Sequence, residues 1–178
     1  MPTLRSAVAA AFAVTGMLCP AISCVSYYPP APAPTVPPIV SVGAASAISE
    51  EIVTRTNAER RALGLSTLGR SSQLMQAAQL QAEQMALTEH MSHDSPGARY
   101  PYPVDRLAAV GYLWRASAEN VAEGYSDAAG VMTGWMNSKG HRANIVSDLF
   151  TEMGAGEAVG KNGRRYFAQV FGAPRGNP

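Results

Sequence analysis

The side chains in this sequence that could do chemistry are His90, His93, Glu119, His141 and Glu152. Neutral imidazoles can hold a divalent cation, and a carboxylate beside them can take a proton from a bound water. The chain holds only three histidines among 178 residues, so the position of each one matters. His90 and His93 are three apart and could share one face of a helix. That spacing alone is a weak metal signal. The His-Glu-x-x-His pattern of zinc peptidases is absent, as is the Gly-x-Ser-x-Gly turn of serine hydrolases. No glycine-rich phosphate loop stands out. His141 follows the stretch Asn137-Ser138-Lys139-Gly140, a polar break after the helical pattern of "VMTGWM". We expect Gly140 to turn the chain there. His141 then either faces a cleft beside His93, or caps the preceding helix and ties the loop to Glu119.

The elements that must carry these residues are legible in part. Ser49, followed by Glu50 and Glu51, predicts a helix start, with Ile48 and Val53 as a hydrophobic staple. That helix should turn Ile52, Val53, Thr56 and Leu63 inward and end near Gly64. Ser71 or Ser72 can cap a second helix, with Leu74, Ala78, Ala82 and Met85 at core spacing. Pro103 in a first turn and Gly111 after the end bound a short third helix. Ser126 and Asp127 open another, with Val131, Met132, Trp135 and Met136 on one face. Then the period changes. "TEMGAGEAV" and "RYFAQVFG" flank Asn162-Gly163, a two-residue hairpin signal. Tyr166, Ala168 and Val170 alternate with Phe167, Gln169 and Phe171, so the last strand should be covered on both faces. Helices on both sides of an antiparallel sheet are the simplest packing.

The N-terminus has a different character. Residues 1–23 carry one charge, Arg5, ahead of an apolar run from Ala7 to Leu18. This is the pattern of a signal peptide, too short for a membrane span. "AISC" ends at Cys24 and resembles a bacterial lipobox, which makes Cys24 a candidate lipidation site and a membrane anchor. Residues 24–46 include "SYYPPAPAPTVPPIV", a proline-rich tether. One domain is expected over 47–174, with a short tail at 175–178. Cys19 and Cys24 are the only cysteines, so that domain has no disulfide and no thiolate. Beyond the leader, 13 basic residues face 13 acidic ones, and no basic run suggests nucleic-acid binding.

"MSHDSPG", "AENVAEG", "WMNSKGHRANI", "FTEMGAG" and "YFAQVFG" occur in this order. Together with "NAERRALGLSTL" they resemble the CAP superfamily of cysteine-rich secretory, antigen 5 and pathogenesis-related proteins. The match is closest to its bacterial SCP-like branch and covers roughly residues 48–172. The resemblance implies an α+β fold, a three-layer α-β-α sandwich with a central antiparallel sheet. It also implies a location outside the cytoplasm and a cleft of two histidines and two acids. His93 matches the family's Ser-His motif and Glu119 its Glu-Asn motif. Other members place an acid where Ser138 stands and a second histidine near Leu149 or Phe150; here His141 and Glu152 stand in neighbouring motifs instead. The expected cleft is thus His93, Glu119, His141 and Glu152. His93 and His141 are its candidate ligands for a divalent metal such as Zn, and Glu119 or Glu152 its candidate general base. Asn120 should bond backbone in its own turn, and Arg142 and Asn144 should brace the loop.

Three functions fit that expectation. The first is a secreted or lipid-anchored, monomeric binding module for an envelope lipid, glycan or peptide. The alternative is a metal-dependent peptidase or other hydrolase. In the third, the polar cluster merely knits helices to sheet.

Overall fold

A computed structural model describes residues 45–175; the signal-like segment, Cys24 and the proline-rich stretch lie outside the described residues. Its elements in chain order are α1 (Ala47–Ala62), β1 (Gly69–Arg70), α2 (Ser72–Thr88), α3 (Pro103–Ala109), β2 (Trp114–Glu123), α4 (Ala128–Asn137), α5 (Lys139–Ile145), β3 (Glu152–Val159) and β4 (Arg165–Pro174). The sheet order is β1-β3-β4-β2. β3-β4 and β4-β2 are antiparallel, while the two-residue β1 runs parallel to β3. The fold is therefore α+β, with a mixed sheet in which only β1 departs from the antiparallel expectation.

Strand alternation sorts the core into two layers. Phe167, Phe171 and Ala173 of β4, with Ala116, Ala118 and Ala122 of β2, pack under α1, α4 and α5 through Ile52, Val131, Trp135 and Ile145. Tyr166, Ala168 and Val170, with Val121, pack under α2 and α3 through Leu74, Ala78, Met85 and Leu107. α2 approaches β3 so closely that a Cβ on Gly154 would stand 2.1 Å from the backbone of Leu74 and Met75. Only glycine allows that approach.

Local chemistry moved several boundaries. α1 is capped by Ser46, whose Oγ accepts the Ser49 amide at 3.1 Å; Ser49 is buried inside the first turn. Leu63 is exposed, and Arg60 is the buried residue of that last turn. Asp127 Oδ1 caps α4 by accepting the Gly130 amide at 2.7 Å. In the β3-β4 hairpin only Gly163 has positive φ, at +76°, and Gly163 N–H donates to Gly160 C=O. The loop is thus a turn followed by a left-handed glycine, and Asn162 keeps an ordinary φ. Gly140 turns nothing. The break falls at Ser138, which is extended (φ −90°, ψ 120°), and Gly140 lies inside α5.

Candidate functional site

β2 lies at one end of the sheet, so its outer edge is free to be wrapped by other segments. The segment between α2 and α3 brings His93 to it from one side. α5 brings His141 from the other.

Glu119 points from β2 into the α2/α3 layer. His93 Nδ1 lies 3.0 Å from Glu119 Oε1. Arg106 of α3 donates from Nη2 to Glu119 Oε2 at 2.9 Å and to Oε1 at 3.2 Å. The same nitrogen donates to His93 C=O at 3.0 Å. Arg106 is 2% exposed and Glu119 6%. A buried charge requires such pairing, because its desolvation is otherwise uncompensated. Gln81 Nε2 donates to the carbonyls of Ser92 and His93 and fixes the same strap from beneath.

The hydrogen bond that His93 donates to Glu119 raises the His93 pKa above the ordinary imidazole value, against the lowering effect of burial. His141 is pushed the other way, first by burial and then by the charge of His93. The charge of the His93 ring is therefore felt at His141. Among the described residues no hydrogen bond holds the His141 ring itself.

Glu152 does not join them. It pairs with Gly172, which pairs with Ser117, so it stands two strands from β2. That is roughly 10 Å at about 4.8 Å per strand. Tyr112 lies over Gly172, where a Cβ would meet its hydroxyl, and that hydroxyl donates to Glu152 Oε2 at 2.8 Å. The Glu152 carboxylate is thus held by Tyr112 and does not line the cavity beside His93. Asn120 also departs from expectation: it lies within β2 and bonds across to other elements, not within a turn. Asn144 does brace α5, donating to Asn120 Oδ1 at 2.8 Å. The expectation for His90 gains no support, since the residue is exposed.

A cavity of about 260 Å³ opens beside His93. Ala77, Leu107 and Val170 give it apolar walls; His93, Asp94, Arg106, Ser117 and Glu119 give it a polar mouth. Sequence reasoning does not single out Arg106 or Ser117. Neither sits in a motif, and an arginine in a short helix resembles ordinary surface charge.

Among the described residues no group of three His, Cys, Asp or Glu side chains is placed to hold a metal. The donors present are His93 Nε2 and the His141 ring. Glu119 orients the first through Nδ1, as an outer-shell carboxylate does for a ligating histidine. Two imidazoles fall short of the three protein ligands usual in catalytic zinc centres.

Residues 53–171 match the family described as CAP, the cysteine-rich secretory protein family. The chain is 35% identical over 111 residues to the uncharacterized protein YkwD of Bacillus subtilis (strain 168), covering 62% of this chain and 42% of that one. It is 30% identical over 122 residues to the uncharacterized membrane protein YlbC of the same organism, covering 68% and 33%. It thus spans less than half the length of either relative. Among solved structures, an extracellular protein containing a SCP domain from Bacillus anthracis str. Ames aligns at TM-score 0.60 and 30% identity, covering 70% of this chain and 39% of that one. An outer surface protein from Borrelia burgdorferi aligns at TM-score 0.62 and 18% identity over 71% and 92%, a likeness of fold alone.

Proposed function

This chain belongs to the CAP, or cysteine-rich secretory protein, family, and from that premise we propose that it is a non-catalytic binding module acting outside the cytoplasm. The observation that carries the reading is the cavity beside His93, apolar within and polar at its mouth. Its volume of about 260 Å³ is near the lower end of ligand sites, roughly 300–1,000 Å³. That size suits a single alkyl chain or one apolar side chain, not a polycyclic lipid. The apolar walls favour a lipid chain over a glycan. The location is supported by the signal-like leader and by a relative described as extracellular. Lipidation at Cys24 would tether the domain to a membrane through the proline-rich stretch.

The effect of the His93 charge on His141 favours a second reading, a metal-dependent hydrolase. The two rings would hold a divalent ion such as zinc, which supplies a bound water of lowered pKa. The disposition of the acids speaks against it. Both oxygens of Glu119 are engaged by Arg106 or His93, and Glu152 is bonded to Tyr112.

The test titrates the full chain with decanol and decanoate, below their micelle concentrations, and follows backbone amide resonances. Saturable shifts at Ala77, Leu107 and Val170, abolished by Val170→Phe, are expected. Shifts absent from those residues would overturn the reading. Zinc-dependent turnover of an envelope peptide would move the hydrolase to the front.

A further inference from the structure

Glu119 and Asn120 are neighbours on β2 and, by strand alternation, point to opposite faces. Glu119 holds His93 on the α2/α3 side. Asn120 reaches the α1/α4/α5 side, where its Nδ2 donates to His141 C=O at 3.2 Å and to Gln169 Oε1 at 3.0 Å. Its Oδ1 accepts from Asn144 at 2.8 Å. Gln169 Nε2 continues the chain to Thr56 Oγ1 at 2.7 Å, and Thr56 donates to Ile52 C=O within α1. Asn120, Asn144, Gln169 and Thr56 are all fully buried.

We propose that Asn120, braced by Gln169 and Asn144, is the positioning residue for His141, so that Glu119 and Asn120 hold the two histidines of the site from opposite faces of one edge strand. The inference rests on reading His93 and His141 as one site. It does not depend on what the cavity binds.

The His141 ring has no hydrogen bond of its own among the described residues, so the position of α5 decides where it points. α5 is short, and no side chain caps its N-terminus at Ser138. Arg60 secures its far end by donating to the carbonyls of Ile145 and Ser147 at 2.8 and 2.7 Å. His141 lies in the opposite half of the helix, and there Asn120 is the side chain that holds the backbone to the sheet. A fully engaged buried amide in a low-dielectric core tolerates little displacement, because each lost partner leaves a polar group unpaired. His93 has an independent anchor on the other face, so the two can be loosened separately.

Carbethoxylation of each histidine by diethyl pyrocarbonate, resolved by peptide mass spectrometry, tests this on the full chain. In Asn120→Leu, His141 should react about fivefold faster or more, as expected when a hydrogen bond is lost, while His93 stays within about twofold of wild type. Glu119→Gln should invert the pattern. Gln169→Met, which removes one brace and leaves Asn120, should shift His141 in the same direction by less. It carries the test if Asn120→Leu does not fold, as judged by circular dichroism. An unchanged His141 rate in a folded variant would overturn the proposal, as would equal acceleration of both histidines, which signifies general loosening. Decanoate plays no part in this readout, so failure of the ligand reading and failure of this one are separable.

Discussion

Replacing Glu119 by Gln should destabilise the fold far more than it perturbs any surface property. The carboxylate neutralises Arg106, and both residues are nearly inaccessible, at 6% and 2%. The Gln amide oxygen can still accept from Arg106, beside the carbonyls of His93 at 3.0 Å and Tyr100 at 3.4 Å, but no counter-charge is left. Removing one partner of a buried ion pair costs roughly 3–5 kcal/mol. With a urea slope of about 2 kcal/mol per molar, the midpoint should fall by roughly 1.5–2.5 M. Arg106→Met should fall by a similar amount, since it strands the carboxylate instead. The double variant Arg106→Met/Glu119→Leu should recover most of the loss, because well-packed apolar pairs often replace buried ion pairs at little cost. Equilibrium urea unfolding of wild type, Glu119→Leu, Arg106→Met and the double variant closes a double-mutant cycle, with Glu119→Gln measured beside them. A midpoint drop below about 0.5 M for Glu119→Gln, at unchanged slope, would refute the view of Glu119 as an anchored structural charge. It would return the residue to candidacy as a general base. Loss of activity in Glu119→Gln therefore says nothing of catalysis until its stability has been measured.

Gly154→Ala would place a methyl 2.1 Å from the α2 backbone; a loss of about 1–3 kcal/mol or more is expected in urea unfolding, and an unchanged midpoint would contradict the close approach. Tyr112→Phe removes the donor to Glu152. It should cost about 1–3 kcal/mol and leave decanol binding intact, and weakened binding would bring Glu152 back to the site. The stability–pH profile should separate the histidines. The pKa of His141 is lowered by folding, so its contribution is full above about 6.5, the unfolded value, and is lost as pH falls through the folded value. That of His93 is raised, so its contribution is full below about 6.5 and is lost as pH rises through the folded value. His141→Asn should therefore flatten the acid-side fall in the urea midpoint and His93→Asn should steepen it; identical profiles for the two would be inconsistent with opposite shifts.

The helices are legible in the sequence because their signals are local. Leu74, Ala78, Ala82 and Met85 recur at helical spacing, and all four are fully buried. Ser71 and Asp127 cap as their types suggest. Tyr166 to Phe171 alternate between the two cores as their pattern predicts. β2 leaves no such trace. "WRASAENVAE" is half Ala and Glu and includes an Asn, all poor strand formers, and its pairing with β4 makes it extended. Local signals therefore suggest a turn for Asn120, when a strand position sends it across to Gln169. His93 and Glu119 are recognisable by motif, and Arg106 is not, because no local rule announces a buried arginine whose partner lies on another element. Glu152 is misplaced for a related reason. Proximity of two acids across a sheet is a matter of register and strand order, and the sequence spacing of Glu119 and Glu152 carries neither.

Charge at the cavity mouth makes the binding of an anion depend on pH. Arg106 and Glu119 cancel, which leaves Asp94 and His93 at the mouth. With His93 protonated the four groups sum to zero; with it neutral they sum to one negative charge. An anionic head group therefore meets no net repulsion below the raised pKa of His93 and one unit of repulsion above it. The His93 side chain is 44% exposed, so solvent screens much of that difference, and roughly a three- to tenfold change in affinity is a fair expectation. Decanoate should bind progressively more weakly as pH rises through the His93 transition, while decanol, with no charge, should bind equally throughout. Glu119→Gln should shift the decanoate transition to lower pH, because the hydrogen bond that holds the proton on His93 is gone. Parallel behaviour of the acid and the alcohol would mean that the head group lies away from His93, and that the chain enters the cavity from another side.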